Sequence, residues 1–216
     1  MESALLSEVV KSLPKPFVSE VLRVTEWVYD EAYNSAFNHP LMGRPESEYL
    51  YPHMRRALME SKLREVANSL GLSTKVCTNF ARNHEFTEIQ AGRLVLTCSH
   101  KTGEDWQMLR SSYFRQKNAT LNSLLSQMEF DSAGFEVFSE NDDAGLLNAV
   151  IYHGTDLREK NKVGYVRIGF PSPCNSRWSA RFDLYEILGS YPAVVAQSED
   201  DEIIVRWKSK ARILEA

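Results

Sequence analysis

Cys77, His84, Cys98 and His100 carry the thiol and imidazole groups that hold zinc, so their convergence is the first chemistry to test. Strand register decides it. Residues 74–81, 84–90 and 93–100 read as strands, the last two joined through Ala91 and Gly92. A two-residue loop sets position 84 opposite 99 and sends His84 and Cys98 to opposite faces. A three-residue loop with Gly92 left-handed sets 84 opposite 98, aligns Phe86 with Leu96 and brings the pair beside a core face. The spacing matches no zinc-binding module, so neither a metal nor a cofactor is expected. Cys77, Cys98 and Cys174 read as reduced thiols.

Cations supply a second set. The stretch "WQMLRSSYFRQKNATLNSLLSQM" reads as one long helix capped by Asp105. On it Trp106, Phe114, Leu121, Leu124, Leu125 and Met128 fall within roughly 60° of Arg110, with Lys117 about 20° away. Two cations on an apolar stripe have two explanations. Either their stems snorkel from the core's rim, or Arg110 and Lys117, with Tyr113, line an internal anion site whose partner is Glu88 or a ligand phosphate. His53, Arg55 and Arg56 follow Pro52, which reads as the start of a helix over 53–70 closed by Gly71. Cations at a helix start oppose its dipole, which favours a ligand as their reason.

The order helix, three strands, helix, strand over residues 53–138 resembles the core of the PD-(D/E)xK nucleases. That resemblance implies a carboxylate on the second strand and a D/E-x-K on the third, together holding a divalent cation. Glu88 fits the first place. The third strand reads "LVLTCSHK", with no acid where one is required and Lys101 beyond Thr97 and Ser99, which implies a degenerate relative that binds without cutting.

"YHGT" at Tyr152–Thr155 resembles the opening strand of poly-ADP-ribose-polymerase-type ADP-ribosyltransferases. The resemblance implies an NAD-dependent enzyme in which His153 bonds a ribose, Gly154 admits the nicotinamide amide, Tyr165 stacks on nicotinamide and Glu202 polarises ribose hydroxyls. No P-loop, G-x-G-x-x-G or nucleophile motif points to another enzyme class.

These side chains must be positioned by elements with different periods. "SALLSEVVKSL" is a short amphipathic helix stopped by Pro14 and Pro16, and a longer one follows to Phe37. Its apolar residues form two rows, Phe17, Val21, Val24 and Val28, and Leu22, Tyr29, Tyr33 and Phe37, suggesting contact on two sides with a lobe or a second subunit. "FEVFS", "LLNAVIYHG" and "VGYVRIGF" read as strands, the last two as a hairpin. "SRWSARFDLYEILGS" reads as a helix, with short strands at 193–196 and 202–207 after it. The expected class is α+β: a helical N-terminal lobe over 1–70 packed with a mixed or antiparallel sheet in a lobe over 71–216, the two read as one continuous domain.

With 216 residues, 43% hydrophobic and 25% charged, the chain has the length for one core and no apolar run that spans a bilayer. The start lacks a secretory pattern, so a cytoplasmic location without membrane contact is expected. A net charge of -4 argues against sequence-blind nucleic-acid binding and leaves only a local basic site. The expected function is therefore a non-catalytic binding or regulatory protein of a microbial system, with a protein partner or self-association and a site for nucleic acid or another anion. The transferase and the degenerate nuclease are its alternatives.

Overall fold

The computed structural model describes residues 2–82, 84–102, 105–123, 125 and 145–192. Helix α1 spans Glu2–Ser12 and α2 spans Lys15–Phe37. Pro14 is the extended residue between them (φ -61, ψ 138), and Pro16 occupies the first turn of α2, where its missing N–H costs no hydrogen bond. Helix α3 runs Arg44–Ser69, starting earlier than the sequence suggests. Pro45 is the proline of its first turn, and Pro52 lies inside the helix. His53, Arg55 and Arg56 are therefore mid-helix residues, and the dipole argument for them does not apply. Gly71 follows the helix in the left-handed region (φ 73), where a residue without Cβ is unstrained.

Six strands follow in chain order: β1 Ser73–Thr78, β2 Glu85–Ala91, β3 Leu94–His100, β4 Leu147–Thr155, β5 Val163–Pro171 and β6 Trp178–Asp183. They form one sheet in that same order. Every neighbouring pair is antiparallel except β3 and β4, which are parallel, so the sheet is mixed and the fold is α+β. Ala91 opposes Leu94, which places the β2–β3 turn on Gly92 (φ 54) and Arg93, one residue beyond the turn read from the sequence.

Between β3 and β4 the chain departs from the expected long helix. Asp105–Ser112 is not helical among its described residues, and α4 covers only Tyr113–Ala119, followed by a tight 3-10 turn at Thr120–Asn122. The helix expected from residue 176 is also corrected. Its first half is β6, and Asp183 then caps α5, Leu184–Ser190, by accepting a hydrogen bond from the Tyr185 N–H at 2.9 Å. The strands read at 135–139, 193–196 and 202–207 lie outside the described residues.

One apolar core joins α1, α2 and α3 to β2–β6 and α5, from Leu5 to Ile187, so it crosses the boundary at residue 70. The row Phe17, Val21, Val24 and Val28 lies in that core. In the second row Tyr33 stacks on Phe37 at 4.5 Å, and Tyr51 of α3 closes on Tyr33 edge-on at 5.8 Å. Both rows are thus covered by this chain itself, and the two-sided pattern of α2 needs no second subunit.

The opposite face of the sheet carries Tyr152, Tyr165 and Trp178 under the segment holding Leu109. Asn122, fully buried after α4, fastens that side to the sheet. Its amide donates to the carbonyls of Asn148 (2.9 Å) and Pro171 (2.7 Å), and its oxygen accepts from the Asn148 N–H at 2.8 Å. Truncation would leave buried backbone groups without partners. Asn122→Ala is expected to lower the unfolding free energy by about 2–3 kcal/mol, read as a reduced urea midpoint at unchanged slope.

Candidate functional site

The sheet forks. Strands β2 and β3 pair only over Ile89–Leu96, Gln90–Val95 and Ala91–Leu94. Past these pairs β2 continues with β1 from Glu88 to Glu85, while β3 continues with β4 from Thr97 to His100. Backbone groups left between the diverging strands need other partners. Thr87 donates its N–H to the Glu60 carboxylate of α3 at 2.7 Å. From the other side, the Arg115 guanidinium of α4 donates to the Ser99 hydroxyl at 2.7 Å.

A cavity of about 270 Å³ opens at this fork. Helix α3 contributes His53, Arg55, Arg56 and Glu60, and strand β3 contributes Cys98, Ser99 and His100. His153 of β4 and Arg115 complete its polar lining. A second cavity of about 310 Å³ adjoins it, sharing His53, Arg56 and Glu60 and adding Arg64, His84 and Thr87.

Arg55 anchors the deep end, only 4% exposed. Its guanidinium lies 4.9 Å from the ring centres of both Tyr29 and Tyr51, and it donates to the Thr155 hydroxyl at 2.9 Å. Two ring faces stabilise the cation, yet its Nε has no hydrogen-bond partner among the described residues. The buried Nε of Arg115 and Nε2 of His84 are unpartnered in the same way. None of Arg55, Arg56 and Arg115 forms an ion pair among the described residues; the ion pairs lie elsewhere.

The histidines behind the cavity are neutral. Tyr29 Oη and His153 Nδ1 lie 2.8 Å apart, and burial raises the tyrosine's pKa. His100 Nε2 lies 3.3 Å from the Thr155 hydroxyl, and the two imidazoles are 5.5 Å apart. Burial, then the Arg55 charge, pushes His100 down to about 3. Burial, followed by His100 and Arg55, holds His153 well below its ordinary value. Burial also lowers Arg56 and Arg115, with Arg56 adding to the effect on Arg115, and it raises Glu60 against the Thr87 hydrogen bond. Three guanidiniums thus share a partly desolvated site with one carboxylate. Such a site favours an anion that brings hydrogen-bond acceptors.

The residues singled out from the sequence divide into those at the cavity and those away from it. His53, Arg55, Arg56 and His153 meet there. Arg110, Tyr113 and Lys117 do not: all three side chains are exposed, and Arg110 contributes only its carbonyl, which accepts from Arg115 at 2.5 Å. The expected internal site on the helix after Asp105 is therefore corrected to Arg115 alone, because the helix begins at Tyr113 and has a different face. Arg115 and Glu60 were not singled out. A serine before an apolar-aromatic run at Ser112 and the i,i+4 pairing of Arg56 with Glu60 are the signals that mark them.

The transferase set does not assemble on one face. His153 opposes Val166 in the helix-side core, whereas Gly154 opposes Tyr165 on the other face of the sheet. The Tyr165 ring packs so closely on Gly154 that a Cβ there would collide with it. Glu202 lies outside the described residues. Of the nuclease set, Glu88 points away from the fork, accepting from Cys77 Sγ at 3.2 Å and Asn118 Nδ2 at 2.8 Å. The fork instead presents Thr87, Cys98 and His100. Cys77 is thereby separated from Cys98, and no group of three possible metal ligands occurs among the described residues. No family model, curated protein or solved structure matches the chain.

Keeping His100 and His153 neutral has a pH signature. An unfolded histidine titrates near ~6.5. Below that the unfolded chain binds protons that the folded chain refuses, so stability falls as pH drops from about 6.5 toward 3. Urea unfolding between pH 7.5 and 4 is expected to show this decline, with His100→Gln reducing its slope by about one proton.

Proposed function

We propose that the protein is a non-catalytic binding protein that holds a phosphate-like oxyanion in the fork between β2 and β3. The observation that carries this reading is Arg55, a guanidinium buried between two tyrosine rings with no carboxylate partner among the described residues, at a cavity shared with Arg56 and Arg115. A tetrahedral oxyanion supplies several acceptors at once, which suits unpartnered guanidinium nitrogens better than a single carbonyl does. Glu60 stands apart from these cations in role: its hydrogen bond to Thr87 stabilises the open edge of β2.

This reading keeps to binding or regulation, in the cytoplasmic setting expected from the sequence. Two carboxylates facing each other across the fork would favour a divalent cation; the fork's described residues instead favour an anion. None of the described helices is long and apolar enough to cross a membrane.

Isothermal titration with inorganic tripolyphosphate tests the site. Wild type is expected to bind with an affinity that falls as salt rises, and Arg56→Ala or Arg115→Ala to weaken it about tenfold or more. Arg56 lines both cavities with part of its surface open to solvent and makes no hydrogen bond or ion pair among the described residues, so its loss is expected to leave the fold intact. Absence of binding to the wild type, or binding by both variants as tight as that of the wild type, overturns the proposal.

A further inference from the structure

The two cavities at the fork adjoin, since His53, Arg56 and Glu60 of α3 line both. Together with Arg64 these residues recur every three or four positions, the spacing that sets side chains in one row along a helix. From Arg56 to Arg64 the row advances about 12 Å at ~1.5 Å per residue. Sites for small ligands measure roughly 300–1,000 Å³. The first cavity, about 270 Å³, and the second, about 310 Å³, each stand at the lower end of that range, and the pair has room for an elongated ligand.

Donors stand at both ends of the row. In the first cavity they are Arg55 and Arg115, and in the second Arg64 and His84. Arg64 forms no ion pair among the described residues, and His84 Nε2 is buried with no hydrogen-bond partner among them. The ends feel one another: after burial, the charges of Arg56 and then Arg115 lower the pKa of His84, and Arg56 acts in the same direction on Arg115. Cations that repel one another across one opening are relieved by a ligand carrying several negative charges. Two acids face them. Glu60 accepts from the Thr87 N–H, and burial raises its pKa; Glu85, at the first position of β2, is exposed. Neither forms an ion pair with a cation of the row among the described residues.

Resting on the oxyanion reading, we propose that the site runs along α3 through both cavities and takes a condensed phosphate, a chain of phosphoryl groups joined by anhydride oxygens, with Arg64 and His84 holding its far end. Apart from imidazoles, Phe86 is the one aromatic ring among the described residues lining either cavity, and it is 5% exposed and stacked on Phe114 at 4.2 Å. Neither cavity therefore offers a ring face to a base, which favours phosphoryl groups joined directly over a strand with sugars and bases between them. The chain is free or is the tail of a nucleotide, and the anhydride-linked phosphates are common to both.

Isothermal titration at one ionic strength with orthophosphate, tripolyphosphate, adenosine triphosphate and a short oligothymidylate tests the extended site. Wild type is expected to bind tripolyphosphate about tenfold or more tighter than orthophosphate, and Arg64→Gln and His84→Gln each to weaken tripolyphosphate about tenfold. Lys117→Ala removes a charge from an exposed residue that lines neither cavity and is expected to leave that affinity unchanged. Adenosine triphosphate bound as tightly as tripolyphosphate identifies a nucleotide's tail, and weaker binding identifies a free chain; either supports the proposal. Equal affinity for orthophosphate and tripolyphosphate, wild-type affinity in both glutamine variants, or an equal loss in Lys117→Ala overturns the extended site and leaves the oxyanion site standing. Oligothymidylate bound more tightly than tripolyphosphate overturns the condensed phosphate in favour of a nucleic-acid strand. Failure of wild type to bind tripolyphosphate removes the oxyanion site and its extension together.

Discussion

A guanidinium taken out of water must be compensated, and the compensation of Arg55 organises the centre of this protein. Its charge is met by the faces of Tyr29 and Tyr51 and by one hydroxyl, that of Thr155. These partners come from α2, α3 and β4, so one side chain binds the helical layer to the sheet. The same charge helps keep His100 and His153 neutral, and their hydrogen-bond partners Thr155 and Tyr29 again belong to the Arg55 environment. What lies between the helices and β4 is thus a polar cluster set within an apolar core, with its cationic end open to the cavity.

The fork follows from the same economy of hydrogen bonds. A sheet in which β2 and β3 part after three pairs, while β3 stays on β4 along its whole length, opens backbone groups at the split; the Glu60 carboxylate meets one of them, the Thr87 N–H, and Arg115 reaches the Ser99 hydroxyl from the opposite side of the sheet. The sheet also acts as a partition. Side-chain alternation sends His153 and Thr155 toward the cavity and Gly154 toward Tyr165, so neighbouring letters of one short motif serve different faces.

The α+β class, the first two helices and the β4–β5 hairpin were legible because their periods are long and uninterrupted. The segment Trp178–Asp183 was misread since Trp178, Ala180 and Phe182 fit a strand's alternation while "LYEILGS" directly behind them fits a helix. Its sheet neighbour β5 settles the matter by pairing, which no local pattern reports. Arg55 and Arg56 read as cations at a helix start because Pro52 resembles a first-turn proline, a place that Pro45 holds. Arg115 is hidden by a helical phase set from Arg110 on a helix taken to begin at Trp106, whereas α4 begins at Tyr113. The fork itself is invisible in the sequence, since it depends on where the pairing of β2 with β3 stops.

The contacts behind the cavity join distant parts of the chain: 55 positions separate His100 from Thr155, 100 separate Arg55 from Thr155, and 124 separate Tyr29 from His153. Loop-closure entropy delays contacts of that span during folding, whereas the turns and helices can form locally. The constellation consequently has no counterpart in a partly folded chain, and a molecule recognised there selects the complete native topology. A ligand bound in the cavity would therefore report on, and by mass action protect, the long-range closure of the whole sheet.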